Sequence, residues 1–411
     1  MRLQAYLAKP VRRHTPPRNV SVLVISTLLV VASIASAPQR RSEVRSQASN
    51  LHQWASVTLF HGLPSDHVRA IAQDQDGTIL LGTNAGLARY DGRRVQKIPS
   101  LLSRPVLDVE FDQSGTAWIA TYSGAARLIR GEAEAVRETE GDSIRAIATA
   151  AGRVVLLGER SALYDCRVDA AGSLRTRTID QKDSPLLEVD RDGNRKAIEL
   201  TSAFMVDDRL LVGTHSRGLL SLPAGEELGE PQEVNSRPRP FFVETITREA
   251  EGRVWFGAQA GSGDSGLFHA SDLSRPVTVP VATGTVTSLS FDQVGDLWVG
   301  THDQGVLRLR DGILKDHFTF ENTAGGLRSD RIYTVFADRE GVVWFGTDRG
   351  ACRYDPGGLS TEMVSLDAES NVVRVLYAAS NGQVWCGTNR GLFLRDPSES
   401  WNPVSILSTK P

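Results

Sequence analysis

The sequence is poor in cysteine, methionine and aromatic residues: three Cys, three Met, and 7% Phe, Trp and Tyr together in 411 residues. So few cysteines cannot staple a small fold. With 40% hydrophobic residues the chain can bury a large core instead, which also excludes disorder and collagen. A basic surplus is missing as well. Arg2, Lys9, Arg12, Arg13 and Arg18 all fall in residues 1–37, which hold no acid, so the body is more acidic than the formal −3 of the whole chain. That balance argues against sequence-independent nucleic-acid binding, which needs a basic footprint. Helical periodicity is nearly lacking too. Length alone suggests two or three domains, although long all-β folds often run as one.

Val20 to Ala37 reads VSVLVISTLLVVASIASA, an uncharged run behind the basic flank that ends at Arg18. The expectation is an apolar helix over 20–37 acting as signal peptide or membrane anchor, with the body periplasmic or secreted. Ala35-Ser36-Ala37 fits a small-x-small cleavage site, but Pro38 directly after it is a poor cleavage context, so both the cleaved and the anchored form stay open. Residues 1–37 are thus read as an address, 38–50 as a polar linker and 51–411 as the folded body.

After Leu51 one pattern recurs. Gly295 begins GDLWVGTHDQGVL, Gly341 begins GVVWFGTDRGA, Gly77 begins GTILLGTNAGL and Gly382 begins GQVWCGTNRGL; weaker copies begin at Gly115, Gly152, Asp208 and Gly252. The aligned positions Thr83, Thr121, Glu159, Thr214, Ala258, Thr301, Thr347 and Thr388 are mostly about 40 residues apart, the blade length of a propeller. Each copy follows a short apolar run such as VRAI at 68–71 or IYTV at 332–335. One unit therefore reads as four short strands punctuated by glycine at D-x-x-G and G-T-x-x-G turns. A unit so short cannot bury both faces alone, and radial closure leaves only short edges. The expected fold class is all-β, a β-propeller of four-stranded blades, with eight blades favoured and seven the alternative. Trp54 to Phe60 is expected to latch the ring as the outer strand of the last unit, and Trp401 to Leu407 competes for that slot. Leu186 to Leu200 reads as an inserted hairpin around Asp192-Gly193.

The repeat, with its lead-in Gly62-Leu63-Pro64-Ser65 and the echo Gly326-Leu327-Arg328-Ser329, resembles the two-component-regulator propeller family over residues 51–411. The resemblance implies an extracytoplasmic sensor that binds a periplasmic ligand, often a glycan fragment, and signals to a cytoplasmic kinase. No linking β-sandwich, second span or transmitter follows the repeats before Pro411, so kinase activity is not carried over; the expectation is a binding protein working through a partner such as a membrane sensor kinase, or a truncated sensor. The expected function is ligand-binding and sensory rather than enzymatic, with a protein-interaction scaffold and a streptogramin-lyase-like enzyme as alternatives. In that lyase the repeat carries threonine-glutamate where this chain has glycine-threonine, so its acidic metal-binding ring has no counterpart here.

Loops on a rigid scaffold carry ligand contacts. The residue after G-T varies among units, and the second position of the inner strand is often basic or aromatic. Arg69, Asn84, Tyr122, Arg145, His215, His302, Tyr333, Asp348, Arg374 and Asn389 form the candidate set for a hydroxyl-rich or anionic ligand such as an oligosaccharide, since they offer both donors and acceptors. The same side chains also suit turn capping and bridging between blades. Trp118, Trp255, Trp298, Trp344 and Trp385 share one register, which reads as blade packing rather than a sugar-stacking surface. No cofactor or metal is expected: His215, His302 and Asp348 lack ligand spacing, and Glu188, Asp190, Asp192, Gly193 and Glu199 suit a turn better than a calcium loop. Gly263-Asp264-Ser265-Gly266 is too short a match for a protease nucleophile. Cys166, Cys352 and Cys386 lack paired spacing, though Cys352 and Cys386 lie in adjacent units.

Overall fold

The structure, a computed structural model, describes residues 53–159, 162–169, 172–180, 183–189, 192–234, 242–259, 266–273, 275–358, 364–365, 367–395 and 401–405. The apolar run 20–37, the linker and the Gly263–Ser265 loop lie outside them. Among the described residues no helix is long and apolar enough to cross a membrane.

Among the described residues, eight four-stranded antiparallel sheets account for the units. Their innermost strands are Val68–Gln73, Val106–Phe111, Ile144–Ala150, Leu200–Val206, Val243–Arg248, Val286–Phe291, Ile332–Ala337 and Val373–Ala378. Each of the first six packs against the next, and the seventh, Ile332–Ala337, packs against Val68–Gln73. The ring therefore contains seven blades, the number kept as the alternative, while eight is the count of units. The reason lies at the outer edge of blade 7, where Trp54–Val57 pairs with Gly350–Tyr354. Only ten residues separate Val57 from Val68, so the latch strand holds blade 1 beside blade 7. One hydrophobic cluster spans this seam, joining Val57, Val68, Ile71 and Leu81 to Trp344 and Ala351. The competing segment finds its own place, since Asn402–Val404 completes the eighth sheet.

The second strands are buried on both faces, as in Leu297–Thr301 and Val343–Thr347, because a blade is covered by a neighbour on each side. Trp118, Trp255, Trp298 and Trp344 sit here, each in the cluster shared with the following blade. Their indole N–H groups donate to Asp112 (2.8 Å), Glu249 (3.1 Å), Asp292 (2.9 Å) and Asp338 (2.8 Å), six residues earlier in the turn. The register is that of a repeated core, and a buried indole needs such a partner.

The glycines divide by role. Those of D-x-x-G, such as Gly295 with φ 83°, take the left-handed conformation. The glycine of G-T does not; it makes room for the next blade. A Cβ at Gly82 would meet Val106 Cγ1 at 2.7 Å, and one at Gly300 would meet Ile332 Cγ2 at 2.7 Å.

The inserted hairpin forms as expected, Leu187–Val189 pairing with Arg195–Ala197. The three cysteines are buried and free, Cys352 and Cys386 included. Among the described residues the eighth sheet packs on itself and the 3₁₀ turn Ala368–Asn371, with no extensive contact to a ring blade. Val375, Leu376 and Tyr377 on its innermost strand are 60%, 61% and 63% exposed, where the ring residue Val68 is fully buried.

Candidate functional site

Every innermost strand carries the same irregularity. In blade 1 Val68 pairs with Thr83 and Ala70 with Gly82, so Arg69 is left without a partner in the ladder. The equivalent bulged residues are Leu107, Arg145, Thr201, Glu244, Thr287 and Tyr333. A bulge bends the strand and re-aims its extra side chain. Six of the seven line one central cavity of about 310 Å³, all but Thr287. Thr287 instead donates its hydroxyl to the Ile332 carbonyl at 2.8 Å.

The loops expected to share a face do so. The residue after G-T donates its backbone N–H to the carbonyl just before the innermost strand of its own blade: Asn84 to His67 (3.1 Å), Tyr122 to Pro105 (3.3 Å), His215 to Glu199 (3.0 Å) and His302 to Thr285 (3.0 Å). This fixes the rim over the bulged residues. Arg69 Nε donates to Asn84 Oδ1, and its guanidinium lies over Tyr333 at 5.2 Å from the ring centre. His67 stacks on the same ring from 6.3 Å. Farther round, burial pushes the Glu244 carboxyl above its ordinary range while Arg145 and His215 pull it down. His215 also rests 4.5 Å from Phe242.

The structure thus gathers Arg69, Asn84, Arg145 and Tyr333 at the channel mouth, with His215 beside them. Tyr122 and His302 are exposed on the rim. Asp348, on the loop of blade 7, has a buried Oδ1 without a hydrogen-bond partner. Arg374 and Asn389 pair with each other at 2.7 Å, but on the eighth sheet, which stands outside the ring and so removes them from the channel. Glu244 was missed from sequence although it occupies the same register as Arg69; aligning the second inner-strand position through all units reveals it.

Deeper in the channel, Asp108 accepts the Ile147 N–H at 2.9 Å and so ties blade 2 to blade 3. Burial holds its carboxyl up near 6, against the pull of that bond. Glu110 faces channel water yet is walled in by protein, which together with the Asp108 charge lifts it to about 8. Clefts of about 650 and 680 Å³ are larger, but they are lined largely by turn residues of two neighbouring blades, whereas the channel collects residues from all seven. Among the described residues no group of three or more His, Cys, Asp or Glu is placed to hold a metal. Two guanidinium groups, a carboxyl and a phenol round one mouth can hydrogen-bond hydroxyls and pair with an anionic group.

Residues 62–85 and 326–349, the starts of blades 1 and 7, match the family described as two component regulator propeller. The chain carries the two-component-regulator propeller repeat. No curated protein matches the sequence. Among solved structures, the extracellular domain of a hybrid two-component system from B. thetaiotaomicron is similar at 18% identity and a TM-score of 0.57, over 88% of this chain and 54% of that one. A second structure of that domain, described as a one-component system, gives 18% identity and a TM-score of 0.58 over 86% and 54%. This chain therefore spans about half the length of these neighbours. Streptogramin B lyase is similar at 11% identity with a TM-score of 0.55, over 73% of this chain and 96% of the lyase. At such identities the likeness is one of fold.

Proposed function

We propose that this regulator propeller is an extracytoplasmic ligand-binding domain of a sensory system, taking a polar small molecule or oligosaccharide at the channel mouth and passing its occupancy to a partner such as a membrane sensor kinase. One observation carries the reading: the bulges of blades 1, 3, 5 and 7 aim Arg69, Arg145, Glu244 and Tyr333 at a single cavity. Bulged positions free a side chain from the ladder, and such freedom at a convergent point suits recognition. The likeness to extracellular domains of two-component systems supports the compartment.

The test is a thermal-shift screen of the chain against neutral and acidic oligosaccharides, with and without divalent cations, followed by calorimetry on the hits. Stabilisation by a saccharide that Arg69→Ala abolishes is the expected outcome. Failure of every saccharide, together with metal-dependent turnover of another compound, would overturn the sensor reading in favour of a lyase.

A further inference from the structure

The channel holds unmatched charges of opposite sign at two depths. Arg69 is pinned at the rim, where its Nε donates to Asn84 Oδ1 and its guanidinium lies over Tyr333. Its terminal nitrogens have no carboxylate partner among the described residues. Arg145 occupies the same bulge register in blade 3 and adds a second guanidinium at that level.

Glu110 lies in blade 2, beside blade 1, three residues past the bulge and so about 10 Å deeper along the strand. Its register position has a structural use elsewhere. In blade 6 the positions of Asp108 and Glu110 are held by Ser288 and Ser290, which accept the N–H groups of Val335 (2.9 Å) and Ala337 (3.1 Å) in blade 7. Asp108 does the same work for blade 3 by accepting the Ile147 N–H. Glu110 does not: among the described residues its carboxyl has neither a hydrogen bond nor an ion pair, and it lines the cavity together with Arg69 and Arg145. A serine would serve this seam, whereas a carboxyl walled in by protein costs free energy without serving it.

We propose that the ligand of this channel is zwitterionic: an anionic group at the mouth pairs with Arg69 and Arg145, and an ammonium group about 10 Å away pairs with Glu110. The inference rests on the reading of the channel as a ligand site and adds the ligand's charge pattern. Asn84 and Tyr333 hold Arg69 at the rim, so the two charges stay apart at a set separation instead of cancelling. Burial and the Asp108 charge, which raise the Glu110 carboxyl, are both offset by an arriving cation. The other charges on the strands packed beside it, Arg69 and Arg145, belong to the mouth. Hydroxyl groups of Thr245 and Thr247 line the same channel and suit the polar middle of a short peptide or of an amino-sugar acid.

Titration calorimetry of the full chain tests this with two probes whose charges lie about 10 Å apart, triglycine and a disaccharide of glucosamine and galacturonic acid, each against its N-acetylated form. A probe with the free amine is expected to bind, and acetylation to weaken it about tenfold or more. Glu110→Gln removes that difference, so that free and acetylated probes bind alike, while Arg69→Ala weakens both forms. No bond of the fold depends on the Glu110 carboxyl, so the Gln variant folds. Which of the two probes binds tells a peptide ligand from a saccharide. Equal affinity of the wild type for free and acetylated probes, or a preference for the free amine that persists in Glu110→Gln, would overturn the proposal. Failure of both probes would overturn it as well; the sensor reading survives that failure if other saccharides bind through Arg69, and falls with it if none does.

Discussion

The guanidinium of Arg69 lies over the ring of Tyr333, and these two residues belong to the first and seventh blades, on either side of the seam where the ring closes. The channel mouth is therefore built partly across the latch. A ligand held there contacts both ends of the closed chain. Removing the cation by Arg69→Ala is expected to weaken binding about ten- to a hundredfold, the worth of one charged hydrogen bond. Tyr333→Ala should weaken it too, while Arg374→Ala, on the eighth sheet, leaves affinity unchanged. Calorimetric titration with a ligand found in the saccharide screen checks all three.

Trp118 is fully buried and donates to Asp112. Trp118→Phe keeps most of the packing and strands the carboxylate oxygen, at a cost of about 1–3 kcal/mol. Urea unfolding measures it. Ligand affinity should not move, which separates a packing role from a stacking surface.

A methyl group added at Gly300 meets Ile332 of the next blade. Gly300→Ala is expected to cost about 1–3 kcal/mol through overpacking. Gly387→Ala approaches only the exposed Val375, which can turn away, and costs less. The difference between the two melting temperatures reports whether a blade follows.

Glu110 holds its proton more tightly folded than unfolded, with a pKa raised from 4.5 to about 8. Its contribution to stability is therefore fully present below about 4.5 and is lost as pH rises through 8. Glu110→Gln should match the wild type at pH 4 and melt higher than it at pH 9. Equal pH profiles for the two proteins would refute the shift.

Much of this fold was legible because its period is chemical. Gly77, Gly115, Gly295 and Gly341 mark one turn per unit, and the apolar runs before them mark the innermost strands. The size of the ring was not legible, because it depends on whether Trp54–Val57 pairs with the seventh or the eighth unit, a long-range choice that no local spacing records. The G-T glycines looked like turn residues, yet Gly82 and Gly300 serve an approach between blades that shows only in three dimensions. At the site, Arg69, Arg145 and Tyr333 stood out by type. Glu244 did not, since its importance comes from facing Arg145 and His215 across a cavity rather than from any motif around VETI.

The bulges also separate what is read from what is held. The residues just before them, Val68, Val106, Ile144, Leu200, Val243, Val286 and Ile332, are all branched aliphatics, and all but Leu200, at 1%, are 0% exposed. The bulged residues that follow are two arginines, a leucine, two threonines, a glutamate and a tyrosine. One position is uniform because it locks blades together; the next is free to differ because no ladder pair constrains it. Six of these seven side chains meet in the one cavity, so the ring works as a frame whose inner lettering can change from blade to blade without touching the seams.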